Sequence, residues 1–474
     1  MNHPRSYRSV AVVLLLAVAC TETPSQRADQ SVRVDSASPD VSGIDSTPRD
    51  SAADEAVERQ GPLAGLPSQE GPHVAELKAM PDKSWLDLGR PAPDPTWGIG
   101  IGRAWSSKMV YAPDLRGAFI NGEGRHGATT ERNGKTHYND DLFFYDINQH
   151  RWVCVYPGME LGTYEGKINA DGFEVDKMGH PQPIAYMVHA YGAVTYDTDK
   201  KAYAHMWNPA GGGYWESSMP ERVDFIRANN DKLNALGGRL RDGTPTSLID
   251  QASPWIYDTL AGHWTRLKTE RASPERGHGA HLFYLPTLKQ YFFRFKETHL
   301  YDPAANTWTQ VETSGPQPPQ PIDSASCYDS KRDRIYIAMG SYPHNASTAL
   351  PNRVWAYDVK TSTYQDLQAT GALPPRPKPV AGTNTSQMTY DVKNDVVLYF
   401  AYGADLNGSS ATTGIYAYDA DTNEWTLATT SYPEGWGADW RNLAHIFYDP
   451  QLNVHFLYNA ADSGDGVMYA YRYK

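Results

Sequence analysis

Residues 298–308 read Thr-His-Leu-Tyr-Asp-Pro-Ala-Ala-Asn-Thr-Trp, and this stretch decides the fold. Apolar positions alternate on either side of a run of turn formers, which is the pattern of a strand–turn–strand hairpin. An Asp at the start of such a turn accepts hydrogen bonds from backbone N–H groups two residues on. The same pattern, Tyr-Asp followed six residues after the Asp by Trp or Tyr, recurs along the chain. It appears as Tyr145-Asp146 to Trp152, Tyr257-Asp258 to Trp264, Tyr357-Asp358 to Tyr364 and Tyr418-Asp419 to Trp425. Asn148, Gly262, Pro303, Asn306, Thr361 and Asn423 punctuate the turns.

A second pattern interleaves with the first: a strand ending in Tyr, a short turn, and another apolar strand. Its copies centre on Tyr111, Tyr196, Tyr284, Tyr328, Tyr390 and Tyr448, and four of them keep Tyr-Asp, at Asp197, Asp329, Asp391 and Asp449. The two hairpin types alternate and so build four-stranded units, the blade of a β-propeller. The last unit has only a third strand, Val467 to Tyr473, before the chain ends. Lys83-Ser84-Trp85-Leu86-Asp87-Leu88 resembles Trp308-Thr309-Gln310-Val311, and Pro-rich sequence follows both. The N-terminal strand is therefore expected to close the ring beside the C-terminal three, protecting strand edges that would otherwise pair with other chains. The aromatic residue that ends each repeat is expected to pack between blades.

The region from about Lys83 to the C-terminus resembles the Kelch repeat. Besides the repeating Tyr and Trp, the Pro/Gly-rich runs Thr313-Ser314-Gly315-Pro316 and Thr370-Gly371-Ala372-Leu373-Pro374-Pro375-Arg376 carry the resemblance. The family's Gly-Gly doublet is reduced here to single glycines at Gly122, Gly340 and Gly403. The resemblance implies an all-β, six-bladed Kelch-type propeller over residues 83–474, similar to galactose-oxidase central domains and sialate mutarotases. One insertion, 208–254, falls in the second blade. Within it, Ser217 to Leu240 is expected to be helical, because Val223, Ile226 and Leu233 recur at roughly helical spacing before Gly237-Gly238. Such a helix is placed to lie over the channel as a lid.

The N-terminus reads as an export signal over residues 1–19. Arg5 and Arg8 form a basic n-region, and Val10 to Ala19 is apolar but too short to span a bilayer. Ala17-Val18-Ala19-Cys20 resembles a lipobox, which implies acylation of Cys20 and an exported protein held to the bacterial envelope by lipid alone, periplasmic or at the cell surface. Residues 20–71 are rich in Ser, Asp, Pro, Ala and Gln with sparse apolar residues, the composition of a disordered tether. Cys154 and Cys327 fall in different blades and are expected to be buried free thiols.

The net charge of −12 argues against nucleic acid or an anionic membrane surface as partner, since both demand a Lys/Arg surplus. A monomer is expected. In an antiparallel blade, the first–second and third–fourth turns share one face, and all of these are short. The long connections Gly122 to Asp141, Asn208 to Pro254, Ser341 to Asn352 and Gly403 to Thr413 share the other face with the blade-to-blade loops Pro157 to Tyr186 and Thr429 to Asp439. Long loops on a rigid scaffold concentrate binding residues.

On that face Arg103, Trp105, His189, Arg276, His278, Trp440, Arg441 and Asn442 lead into innermost strands, and the loop after Asn121 adds Glu123, Arg125 and His126. Arg suits carboxylates and sugar hydroxyls, and Trp offers a stacking face. Arg332, on a short turn of the opposite face, is expected to take no part in binding.

Gly122-Glu123-Gly124-Arg125-His126-Gly127 spells a dinucleotide fingerprint but lacks the β-α unit that gives it meaning. No P-loop, G-x-S-x-G or zinc-spaced Cys/His pair is present. No cofactor is expected, although His126, His189 and His278 are placed to meet at the channel as ligands of a divalent metal. Three functions fit these features. The first is a binding module for a carbohydrate or an envelope protein. The second is a carbohydrate-active enzyme of the mutarotase or epimerase kind, with Glu123 and His126 as acid/base candidates. The third is a structural scaffold. A copper oxidase fits less well, because neither Cys154 nor Cys327 is placed to cross-link a ligand-face Tyr.

Overall fold

The structure is a computed structural model. It describes residues 58–103, 108–121, 129–176, 190, 192–206, 220–229, 238–239, 245–246, 254–266, 274, 279–318, 324–338, 353–374, 386–401, 414–434, 442–461 and 464–474. They form a six-bladed β-propeller. Each blade is built on four antiparallel strands, which follow one another in space as in sequence in blades 1 to 5; blade 5 adds a two-residue parallel strand, Thr370–Gly371, and in blade 6 the outermost strand comes from the N-terminal side. The innermost strands are Val110–Ala112, Val194–Asp197, His281–Leu285, Ser326–Asp329, Ser386–Asp391 and Asn442–Asp449. Side chains from all six line one axial cavity.

The Tyr-Asp dipeptide builds the turns. The Asp carboxylate accepts backbone N–H groups two and three residues on, as Asp329 does from Lys331 and Arg332, Asp391 from Lys393 and Asn394, and Asp302 from Ala304 and Ala305; Asp146 and Asp358 accept the one three residues on. The Tyr then bonds the residue five positions ahead. Tyr145 reaches His150, Tyr301 reaches Asn306, Tyr328 reaches Asp333, Tyr390 reaches Asp395, Tyr418 reaches Asn423 and Tyr448 reaches Asn453, all at 2.7–2.9 Å. Each of those partners has a left-handed backbone, with φ between 48° and 56°. That conformation disfavours most L-residues, and Asn and Asp tolerate it best because their short side chains bond locally. The hydroxyl therefore holds in place the one strained residue on which the turn depends.

The aromatic residue that ends each first-pattern repeat pairs across strands with its Tyr, as in Tyr145↔Trp152, Tyr257↔Trp264, Tyr301↔Trp308, Tyr357↔Tyr364 and Tyr418↔Trp425. Their ring centroids lie 4.8–5.6 Å apart. Packing between blades is aromatic as well. Trp152 of blade 1 meets Tyr458 of blade 6 at 5.1 Å, and Phe292 of blade 3 meets Tyr357 of blade 4 at 5.0 Å. Cys154 and Cys327 are both buried and free.

The ring closes through Ser84–Gly89, which pairs with Gly466–Arg472 in the register Ser84↔Arg472, Trp85↔Tyr471, Leu86↔Ala470 and Asp87↔Tyr469. Polar contacts continue the closure between blades 6 and 1, where Asp449 accepts from Tyr111 at 3.0 Å and from Arg116 at 2.9 Å.

Three expectations change. The packed region begins by Glu58, so the tether ends before Gly71. Residues 58–80 run as a strap along the short-turn face: Arg59 pairs with Asp114 at 2.6 Å, Gln60 N–H donates to Leu260 O, and Ser68 donates to Asp146. Leu63 and Leu66 bury into the cluster formed by blades 1 and 2, and Val74 and Leu77 of the helix His73–Lys78 bury between blades 1 and 6. These few apolar residues read as sparse in sequence, but the rim of the propeller supplies the surface they cover. The helix of the insertion spans Pro220–Asn229, shorter than Ser217 to Leu240. Its anchor is a buried bidentate pair, Arg222 with Glu174, on the hairpin Lys167–Ile168 and Glu174–Val175 of the blade 1–blade 2 linker. That places its hold on the linker, where a lid over the channel was expected. Arg332, which was expected to take no part in binding, has a structural role: it ties blades 4 and 5 by donating to Asp329, Asp395 and Asp421.

Two stability effects follow. Trp85 packs on Tyr432 and Tyr471 and donates to Ser431 O, so Trp85→Ala should lower unfolding free energy by about 2–4 kcal/mol. An unchanged urea midpoint would remove Trp85 from the closure. Arg332→Ala should cost about 2 kcal/mol, the scale of charge-assisted bonds. Arg332 holds the Asp395 carboxyl well below the usual carboxylate range. The contribution is thus complete above about pH 4 and fades as pH falls toward the native pKa. A deficit that grows on acidification would contradict the pairing.

Candidate functional site

The strand bounds establish the two faces. Turns such as Asp197 to Ala202 and Asp391 to Val396 are short and share one face. The connections from Asn121 to Leu142, His205 to Trp255, Ala338 to Val354 and Ala401 to Gly414 are long and share the other. Part of the first long connection is a hairpin, Thr129–Arg132 with Lys135–Tyr138.

Of the residues expected at the loop-rich mouth, Arg103 is described in full and Asn442 by its backbone. Trp105, Glu123, Arg125, His126, His189, Arg276, His278, Trp440 and Arg441 lie outside the described residues, as does Cys20. Asn442 opens the innermost strand of blade 6, pairing with Ala461.

Arg103 sits just ahead of the innermost strand of blade 1 and is fully buried. Its guanidinium binds Asp141 and the carbonyl of Asn139, and its backbone N–H donates to His445 Nε2 at 3.0 Å. Arg132 shares the same Asp141 carboxylate and also donates to the carbonyls of Trp97 and Ile99. Two buried guanidiniums on one carboxylate, with carbonyls completing the set, fix the end of the blade 1 loop to the ring. Arg294 in blade 3 is likewise buried, donating to Pro318 O at 2.6 Å beside the Tyr364 ring.

Histidines sit deep in the ring. His281 contacts Ser324 Oγ at 2.6 Å and Ser326 Oγ at 2.8 Å. Burial, with Arg294 and Lys108 nearby, pushes its pKa down to about 3, so the ring is neutral. Burial does the same to His205, also down to about 3. Among the described residues no group of three His, Cys, Asp or Glu side chains is placed to hold a metal ion.

The channel itself carries the feature that the sequence reading missed. A cavity of about 330 Å³ lies on the axis, walled by the innermost strands and reaching the short-turn face at Ser330, Val392 and Pro450. The six repeat tyrosines ring it, including Tyr111, Tyr196 and Tyr448. Their hydroxyls bind carboxylates of the preceding blade: Tyr111 to Asp449, Tyr196 to Asp114 at 2.8 Å, and Tyr448 to Asp391 at 2.9 Å.

Lys108 reaches across from blade 1. Its Nζ donates to Val194 O of blade 2 at 2.9 Å and Leu282 O of blade 3 at 3.2 Å, and lies 4.0 Å from the centroid of the Phe283 ring. Protein surrounds it on every side, yet part of its surface remains open to the cavity. Burial pulls its pKa down from 10.5 to about 7, opposed weakly by Cys327. A signal existed in the sequence. Three residues before the repeat Tyr the other blades carry Ala193, His281, Ala325, Gln387 and His445, and blade 1 carries a lysine.

No protein-family model matches the sequence, and no curated protein matches it. Solved structures match in fold. An oligogalacturonate lyase from Vibrio parahaemolyticus aligns over 82% of this chain and 97% of its own, at 11% identity and a TM-score of 0.39. An auxiliary nutrient binding protein from Bacteroides ovatus aligns over 82% and 77%, at 12% identity and 0.42. A GH74 enzyme of Niastella koreensis aligns over 79% of this chain and 53% of its own, at 13% identity and 0.39. The class is defined by the sheet topology itself: a six-bladed β-propeller.

The Lys108 geometry predicts a stabilising substitution. Between about pH 7 and 10.5 the unfolded chain holds a proton that the native protein does not, so this group makes stability rise with pH across that window. Below it the native state bears the full cost of a buried ammonium without a carboxylate partner. Lys108→Met should therefore raise Tm by at least about 2 °C at pH 6 and by less at pH 9. A fall in Tm at both pH values in differential scanning calorimetry would show that the two carbonyl bonds outweigh the buried charge.

Proposed function

We propose that the protein is an exported, lipid-anchored binding propeller of the Kelch type, holding a carbohydrate or an envelope protein on its loop-rich face over the channel. The observation that carries this reading is the asymmetry of the connections. Four of six blades place a long connection between second and third strands on one face, while the turns of the opposite face are held short by the Tyr-Asp bonds. A ring with only an architectural role has no need of such a difference, and concave faces with convergent polar groups bind ligands. The buried Arg103–Asp141–Arg132 cluster supports the reading, since it fixes the base of the blade 1 loop, and a preorganised loop loses less entropy on binding.

In this reading Arg125, Arg276 and Arg441 bind carboxylates or sugar hydroxyls, Trp105 and Trp440 stack, and His126, His189, His278 and Asn442 complete the polar rim. Cys20 carries the lipid, and the chain up to Glu58 spaces the ring from the membrane.

A thermal-shift screen of sugars on the propeller supplies the ligand. Arg276→Ala and Arg441→Ala should each then weaken it by at least about tenfold, roughly 1.4 kcal/mol. Lys289→Ala, an exposed turn residue of the opposite face, should leave affinity unchanged. Equal effects from all three, or none from the two arginines, would favour a scaffold. Cys20→Ser should release the folded protein from the membrane fraction, and retention there would remove the lipid anchor from the account.

A further inference from the structure

The axial cavity opens on the short-turn face. We infer that this cavity is a second binding site, independent of the loop-rich face, for a small organic carboxylate whose anionic group meets Lys108. The reading does not rest on the proposed function above.

Charge is the first argument. Among the described residues no Asp or Glu side chain lines the cavity, and Lys108 is the one Lys or Arg that does. Among the described residues no carboxylate forms an ion pair with it. An ammonium has three N–H bonds, and the protein accepts two of them, at Val194 O and Leu282 O. A buried ammonium with a donor to spare is costly unless an anion completes it. The carboxylates nearest the mouth are already engaged: Asp449, Asp391 and Asp329 accept turn N–H groups, and Asp449 and Asp391 also accept neighbouring tyrosine hydroxyls.

Shape and lining are the second argument. About 330 Å³ is at the low end of ligand pockets, suited to a single ring or short chain. Phe283, Met388 and Phe447 offer apolar walls, and Thr195, Ser326 and Thr389 add polar lining whose hydroxyls also bond Tyr284 N–H, His281 and His455 within the ring. A carboxylate with a compact body of either kind matches this lining.

Proton linkage follows from the surroundings. The titratable groups that act on Lys108 are Cys327 of blade 4 and His281 of blade 3; Tyr111 shares the cavity lining, and His445 precedes the Ile446 that bridges Lys108 from blade 6. Burial pushes the Cys327 thiol and the Tyr111 phenol up and the His281 imidazole down. His445 accepts the Arg103 N–H through Nε2. Cys327, Tyr111 and His281 therefore take up no proton near pH 8, and Lys108 is the group that does so when an anion binds.

The test is calorimetric titration of the full chain with sodium benzoate and sodium D-glucuronate, alongside benzyl alcohol and glucose as uncharged counterparts and sodium sulfate as an inorganic anion. At least one carboxylate should bind, its uncharged counterpart should not, and Lys108→Met should weaken it at least about tenfold while Arg276→Ala leaves it unchanged. Lys108→Arg should retain it. In buffers of different ionisation enthalpy at pH 8, binding to the unmodified chain should take up a proton, a readout that needs no variant to fold. Absence of carboxylate binding up to about 10 mM, where a millimolar site is nearly saturated, overturns the inference. So does binding of sulfate alone, binding indifferent to Lys108→Met, or binding without proton uptake. Loss in Arg276→Ala with retention in Lys108→Met assigns the carboxylate to the loop-rich face and overturns it too.

Discussion

The hydrogen bond from a repeat tyrosine to the left-handed residue five positions ahead, closed over an aspartate that collects turn N–H groups, is the constraint on which the ring depends. It sets the turn, the turn sets the register of the hairpin, and a one-residue slip in a strand would send every core side chain to the wrong face. In blades 1, 2 and 6 the innermost tyrosine spends its hydroxyl on the carboxylate of the blade before it. The same residue type thus shapes a turn within a blade and couples one blade to the next. Aromatic pairs then fill the space between sheets, where a ring buries more surface than an aliphatic side chain.

Closure gives this local rule a global consequence. A propeller without its last strand leaves two facing edges, and edges invite pairing with other chains. Here the strand Ser84–Gly89 occupies that position, and the strap from Glu58 to Met80 crosses the turns of blades 2, 1 and 6 before delivering it. The two faces of the ring are therefore different in kind. One carries the strap, the engaged carboxylates and the mouth of the Lys108 cavity. The other carries the long connections, anchored at their base by buried arginines such as Arg103 and Arg132.

Much of this was legible in the residues, and the exceptions have physical causes. The hairpin repeats, the blade count and the closing strand all follow from local spacing, because turn chemistry and strand alternation are short-range. The pairing of Tyr301 with Trp308 was readable for the same reason. The strap was not, since Leu63, Leu66, Val74 and Leu77 carry no period and bury against surfaces formed by residues far away in sequence. Arg332 looked like a solvent-exposed turn residue; its partners Asp395 and Asp421 come from the next blade and no local pattern announces them. Lys108 lies just ahead of an ordinary strand, and only the blade-to-blade alignment at three residues before the repeat Tyr marks it out. Arg103 was expected at the ligand mouth; it leads into an innermost strand, but its guanidinium is fully buried on Asp141, a partner that lies across the first long connection.

Hydrogen exchange of the full chain under native conditions tests the closed ring most directly. The account predicts that the amides of Ser84–Gly89 exchange as slowly as those of their partner strand, Gly466–Arg472, because both open only when the ring does. Exchange of Ser84–Gly89 at the rate of free chain, with Gly466–Arg472 still protected, would contradict it and leave the sixth blade with three strands.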